Sequence, residues 1–278
     1  MNTIQSNRIF IITLFLILIY SCNQNIKKSE EIEGNIKETA TELIEKEIEG
    51  NKDPIAKIEK AHNKLGFLLR DAIRLDILLY FGGKERLNGK MTFLTNSNQG
   101  KIELSDGNSI YFEKDRVFHS PSLKNPKSAR FDAYTWMYFL LFPNKLSDPG
   151  TVWSESLKTK MNGETYNLQK LSFKPETGDA PDDWYMVYSD PETNIIQYTG
   201  YIVTANKTVE EAEKDPHAIG YENYQMVENI PIPMNWTFYE WTQNTGLGKT
   251  IGEASLSNVD FIDVQVDFFE VPEGFIEK

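Results

Sequence analysis

Chemistry needs titratable, metal-ligating or nucleophilic side chains at workable spacing, and this chain offers few. Its three histidines, His62, His119 and His217, stand far apart. No HxH or HExxH places two imidazoles together, so none has metal-ligand spacing. Asp179, Asp182, Asp183, Asp190 and Glu192 gather around one predicted strand. Calcium loops fix such carboxylates at set intervals around a central glycine; that pattern is missing, and solvated acidic turns account for these residues. Gly246-Leu-Gly-Lys-Thr250 has the ending of a phosphate-binding loop, yet the loop's first glycine would fall at Gln243. A glycine-rich hairpin turn explains it. There is no GxSxG nucleophile elbow. Glycosidase-type paired carboxylates depend on tertiary separation, and nothing here pairs two. The expectation is a protein with no catalytic residue, no metal and no cofactor.

Cys22 is the exception. It is the only cysteine, and it follows Arg8, an apolar run from Ile9 to Tyr20, and the small residue Ser21. At ~1.5 Å per residue the run spans about 18 Å, short of a ~30 Å hydrocarbon core. Residues 1–21 therefore read as a secretory signal peptide. Ile19-Tyr20-Ser21-Cys22 resembles a lipobox, in which the cysteine thiol takes diacylglycerol as a thioether before cleavage exposes its amine. The expected product is a lipoprotein of the cell envelope, held in the outer membrane of a Gram-negative bacterium by its acyl chains. With Cys22 so used, no intramolecular disulfide is available, and core burial must hold the fold.

Charge narrows the partners. The net value is −12, and removal of Arg8, the only charge in residues 1–21, makes it −13. Nucleic acid needs a basic footprint, so it is excluded as a partner. Attachment to anionic bilayers by charge is excluded for the same reason.

The aromatic residues are the other candidate site. Trp136, Tyr138, Phe139, Phe142 and Trp153 lie close together in sequence. Aromatics are ordinary core material, but a set of this kind also lines apolar ligand cavities. These five are the candidate lining for a lipid or another hydrophobic small molecule.

The elements that must position them are legible from periodicity. Residues 22–52, rich in Lys and Glu and free of aromatics, form a flexible tether. Asp53-Pro54 starts a helix predicted over 54–65, with Gly66 as its terminal glycine. From Ile73 to Phe81 the period is two. Further strands are predicted at 89–95, 101–105, 109–113, 116–119, 152–161, 164–173, 184–189, 195–204, 221–227, 234–242, 251–256 and 261–269. Asn162-Gly163 signals a hairpin. Residues 128–142, apolar nearly all round from Trp136 onward, predict a helix buried on most sides. Residues 205–218 read as a surface loop holding one helical turn. The fold class is mainly β: an antiparallel meander, in sandwich or barrel style, with an N-terminal helix and an aromatic-rich helix pressed into the concave face of the sheet. Residues 53–278 form its single domain.

This arrangement is similar to the lipoprotein-carrier (LolA/LolB-like) superfamily, through the strand Asp106-Gly-Asn-Ser-Ile-Tyr-Phe112 and the ending Phe269-Glu-Val-Pro-Glu-Gly-Phe275. Ala129-Arg-Phe-Asp132, Tyr138-Phe-Leu-Leu-Phe-Pro143, Leu146-Ser-Asp-Pro-Gly150 and Trp184-Tyr-Met-Val-Tyr-Ser-Asp-Pro-Glu-Thr193 resemble an uncharacterised family of bacterial envelope lipoproteins. The superfamily implies a curved antiparallel half-barrel with a hydrophobic ligand held between concave sheet and helix, and it brings no catalytic residue. Its acyl anchor sets this chain apart from a soluble shuttle, so binding at the membrane is expected. The alternative is a structural envelope lipoprotein with a solid core and a protein partner; a hydrolase of envelope sugars or lipids ranks third.

Overall fold

The computed structural model describes residues 53–205 and 207–278. The signal segment 1–21, the tether 22–52 and Cys22 lie outside the described residues. Pro54–Lys278 forms one compact unit.

The predicted first helix is broken in two, α1 (Pro54–Ala61) and α2 (Lys64–Leu68). The break is Asn63, left-handed at φ 52°, whose Oδ1 accepts from the Gly66 amide and caps α2. Gly66 therefore sits inside α2 rather than past a helix end. A Cβ there would stand 2.5 Å from the Asn63 side chain. Ile55 and Ile58 are the buried face of α1.

Alternation then builds the sheet. β1 (Ala72–Phe81) buries Ile73, Leu75, Ile77 and Leu79 and turns Arg74, Asp76 and Tyr80 the other way. The chain meanders outward through β2 (Lys84–Leu94), β3 (Gln99–Leu104), β4 (Ser109–Glu113) and β5 (Arg116–His119). It leaves the sheet as α3 (Ala129–Leu141). It rejoins as β6 (Thr151–Trp153), β7 (Leu157–Met161), β8 (Glu164–Phe173), β9 (Tyr185–Ser189) and β10 (Ile196–Tyr201). A single turn, α4 (Val209–Ala212), is capped by Thr208 and Glu211. β11 (His217–Val227), β12 (Ile230–Thr242) and β13 (Gly246–Ile262) then return to pair with β1. Two predicted strands differ. The run 152–161 is split into β6 and β7. Of the run 261–269 only Phe261 and Ile262 are strand, as the end of β13, because Ile262 already faces Ala72, the first residue of β1, and the ladder has no partner beyond. The chain instead passes over the other face, with Phe268 under Lys101 and Phe275 against Tyr111, and ends as β14 (Ile276–Glu277) on β5.

The 14 strands run in the order β14-β5-β4-β3-β2-β1-β13-β12-β11-β10-β9-β8-β6, with β7 paired to β8. Asn162 and Gly163, at φ 53° and 93°, make the tight β7–β8 turn. The sheet is curved, antiparallel and open, as its sequence predicts. Since β5 and β6 lie near opposite ends of that order, α3, which joins them, spans the open side. No helix among the described residues is long and apolar enough to cross a membrane.

Candidate functional site

Helix α3 is enclosed on most sides: from Ser128 to Leu146 every residue is buried or half-buried. Its all-round apolar sequence requires that placement. Trp136, Phe139 and Phe142 are 3%, 4% and 0% exposed. Trp136 and Phe139 stand 6.1 and 6.0 Å from Phe238 of β12. Phe139 also meets Tyr201 at 5.0 Å. Tyr138 and Phe142 meet Tyr185 of β9 at 5.5 and 5.3 Å. Tyr185 and Tyr201 stack at 6.4 Å and join the two groups. Trp153 lies further out on β6, where its Nε1 donates to the Leu146 carbonyl at 2.8 Å. The structure thus brings four of the five aromatic candidates into one ring cluster and sets the fifth at its margin.

Polar bonds to α3 concentrate at its first turns. Asp132, 4% exposed, accepts from Ser128 Oγ at 2.8 Å, Trp136 Nε1 at 3.0 Å and Arg86 Nη1 at 3.2 Å. Arg130 Nη1 donates to the Asp115 carbonyl at 2.7 Å, and its Nε donates to Asp179 at 3.0 Å. Asp115 lies in the β4–β5 turn and Asp179 in the β8–β9 loop, so one guanidinium links two remote parts of the sheet across the open side. Further along, the bond from the helix to the wall is Tyr221 Oη donating to the Phe139 carbonyl at 3.1 Å. Burial raises the phenol pKa of Tyr185, Tyr201 and Tyr221, which keeps them protonated donors. Trp236 Nε1 and Thr199 Oγ1, both fully buried, have no partner among the described residues.

The histidines are dispersed as their sequence spacing implies. His62 is buried. Its Nε2 accepts the Ile196 amide at 3.1 Å, which leaves the ring proton on Nδ1. Desolvation lowers its pKa to about 3. His119 bonds the Ser120 carbonyl, and His217 lies against Phe81 and Tyr201. The acidic residues serve different neighbours: Asp179 pairs with Arg130, Asp183 accepts from Thr204, and Asp190 caps the turn at Glu192 and Thr193. Burial still raises the Asp183 pKa, against those Thr204 bonds. Among the described residues no group of three or more His, Cys, Asp or Glu is placed to hold a metal ion.

Sequence reasoning named Asp179 only within an acidic cluster and Arg130 only within a motif, and it missed their pairing and the polar wall formed by Asn167, Gln169 and Ser189. Asn167 and Gln169 alternate with Leu168 on β8, a pattern that reads as polar-outward on a strand where they face inward.

No family model and no curated protein matches this chain. Among solved structures, a LolA superfamily protein from Nitrosomonas europaea superposes at TM-score 0.52 with 9% identity, covering 76% of this chain and 96% of its own. The fold is LolA-like. Two others align more loosely. A DUF1329 family protein from Desulfovibrio piger gives TM-score 0.49 at 11% identity, over 78% of this chain and 98% of its own. A proposed outer membrane lipoprotein-sorting protein domain from Vibrio parahaemolyticus gives 0.49 at 14%, over 80% and 97%. At such identities the likeness is one of fold.

Proposed function

We propose that this chain is a lipid-anchored protein of the bacterial envelope that holds an acyl chain or similar apolar ligand on the concave face of its half-barrel, without catalysis. The supporting observation is how α3 is held. Its body meets the sheet through ring contacts, which are non-directional, while its polar anchors gather at the first turns. An acyl chain can take the place of those rings with one wall hydrogen bond lost, that of Tyr221. Burial of an acyl chain contributes about 0.8 kcal/mol per CH₂, so roughly ten carbons suffice for tight binding without a charged contact. The lipobox at Cys22 supports the anchor, and the LolA-like fold supports a ligand between sheet and helix.

Native mass spectrometry of the mature chain, with lipid extraction, tests the reading. Bound acyl species at near-stoichiometric level are expected. A bare mass, with no uptake of a fluorescent fatty acid, overturns it in favour of a lipoprotein with a solid core and a protein partner. Phe139→Glu separates the two further. It is expected to leave the sheet folded with α3 released and to abolish uptake, whereas a solid core would unfold around the unpaired charge.

A further inference from the structure

The inner faces of β8 and β9 change character along their length. Asn167 pairs with Ser189, Gln169 with Val187, and Leu171 with Tyr185. Two neighbouring strands therefore pass from polar to apolar in the same direction. At ~3.3 Å per residue, the stretch from Ser189 to Tyr185 covers about 13 Å. Its apolar end is the ring cluster beneath α3, where Tyr185 meets Tyr138 and Phe142. Its polar end opens into a hollow of about 330 Å³ beside the first turn of α1, lined by Lys57, Ser156, Asn167, Gln169, Ser189 and Asn194.

Gln169 is 4% exposed and Ser189 2%. Neither side chain, nor any of the other four, has a hydrogen-bond or ion-pair partner among the described residues. Their polar atoms reach the hollow rather than a partner in the chain, so a polar guest can satisfy them. Among the described residues Lys57 is the only charged side chain lining the hollow, and no carboxylate lines it, in a chain of net charge −12.

We infer that this hollow is a headgroup site for an anionic amphiphile, its phosphate-type head on Lys57, Gln169 and Ser189 and its tail along Val187 and Tyr185 beneath α3. The inference rests on the acyl-binding reading and adds the class of lipid. Charge-assisted hydrogen bonds from lysine and amide donors suit an oxyanion.

The test titrates the full chain with palmitoyl lysophosphatidic acid, with monopalmitoylglycerol, and with inorganic phosphate, followed by tryptophan fluorescence. The lysophosphatidic acid is expected to bind about tenfold more tightly than the neutral analogue. Lys57→Gln, at an exposed position, should remove that advantage and leave monopalmitoylglycerol affinity unchanged; Gln169→Leu should do the same. Equal affinities for the two lipids, unaltered in both variants, overturn the headgroup site while acyl binding stands. If neither lipid binds, the acyl-binding reading falls and the headgroup site falls with it. Inorganic phosphate binding as tightly as the lysophosphatidic acid overturns the amphiphile in favour of a small anion.

Discussion

Strands β8 to β12 carry aromatic side chains on both faces, and the two sets are fixed in different ways. On the inner face Tyr185, Tyr201 and Phe238 meet rings of α3, an element outside the ladder. On the other face Trp184 and Tyr188 stand 6.4 and 6.3 Å from Trp241, which belongs to β12 itself. Tyr166 joins that set through Tyr188 and Tyr198. Trp241 lies so close to β10 that a Cβ on Gly200 would stand 2.7 Å from its ring. The outer cluster is thus cross-linked by the sheet's own strands. The inner one is closed by a helix that loops and side chains hold. One packing is built into the ladder; the other depends on an element outside it, and on the acyl-binding reading it is the one a ligand replaces.

The largest expected effect measures how much the inner packing carries. Phe238, 0% exposed, touches Phe81, Trp136 and Phe139. Phe238→Ala should cost about 3–5 kcal/mol through lost transfer energy and a cavity. Trp184 is half-buried, with its Nε1 donating to Glu213 and Lys170 over its ring. Trp184→Ala should cost only about 1–2 kcal/mol. Urea unfolding of both variants checks the ratio. Equal losses would mean that the outer face carries as much of the fold as the inner one.

Acid sharpens the same contrast, because the buried side holds a histidine that must stay neutral. The folded pKa of His62, about 3, lies below its ordinary 6.5. The unfolded chain therefore binds the proton more readily. The stability this contributes is complete above pH 6.5 and lost as pH falls toward 3. The slope is about 1.4 kcal/mol per pH unit inside that window. In His62→Gln the slope between pH 6.5 and 4 should flatten, whatever its stability at pH 7. An unchanged slope would place the acid sensitivity in other groups, such as Asp190, whose carboxyl its turn holds below the usual range; Asp183, raised by burial, acts in the opposite direction.

The sequence makes some of this comparison visible and hides the rest for identifiable reasons. The burial of α3 is legible because its apolar residues leave no polar face. β1 is legible because its alternation is unbroken from Ile73 to Phe81. Which face each later aromatic takes is obscured by bulges. The register shifts between Ile196 and Tyr198, so Ile196 and Tyr201 share the inner core although they stand five positions apart, an odd spacing. Asn258, at φ 49°, falls where β13 slips against β1, and Leu256 and Val259 share a face as a result. The hollow by α1 is hidden for another reason. It forms where Lys57 meets strands more than a hundred residues later in the chain, a tertiary fact with no local signature.

The smallest expected effect on stability falls on Arg130, and its consequence for exchange is the most direct. The Arg130–Asp179 pair is partly exposed, at 36% and 42%. Such pairs contribute between about 0 and 1 kcal/mol and weaken with salt. Arg130→Ala should therefore leave the urea midpoint nearly unchanged. It should also free the first turns of α3 from the β8–β9 loop, leaving Tyr134 Oη on the Lys114 carbonyl as the bond to the β4–β5 turn, and so speed uptake of a fluorescent fatty acid in stopped flow. High salt should move the wild-type rate in the same direction. The comparator is Lys145→Ala at the other end of the helix, where Nζ donates to Ser97 at 2.8 Å. Faster uptake in Arg130→Ala alone identifies the N-terminal end of α3 as the side that opens. Faster uptake in Lys145→Ala alone reverses that polarity, and no change in either removes α3 from the path of the ligand.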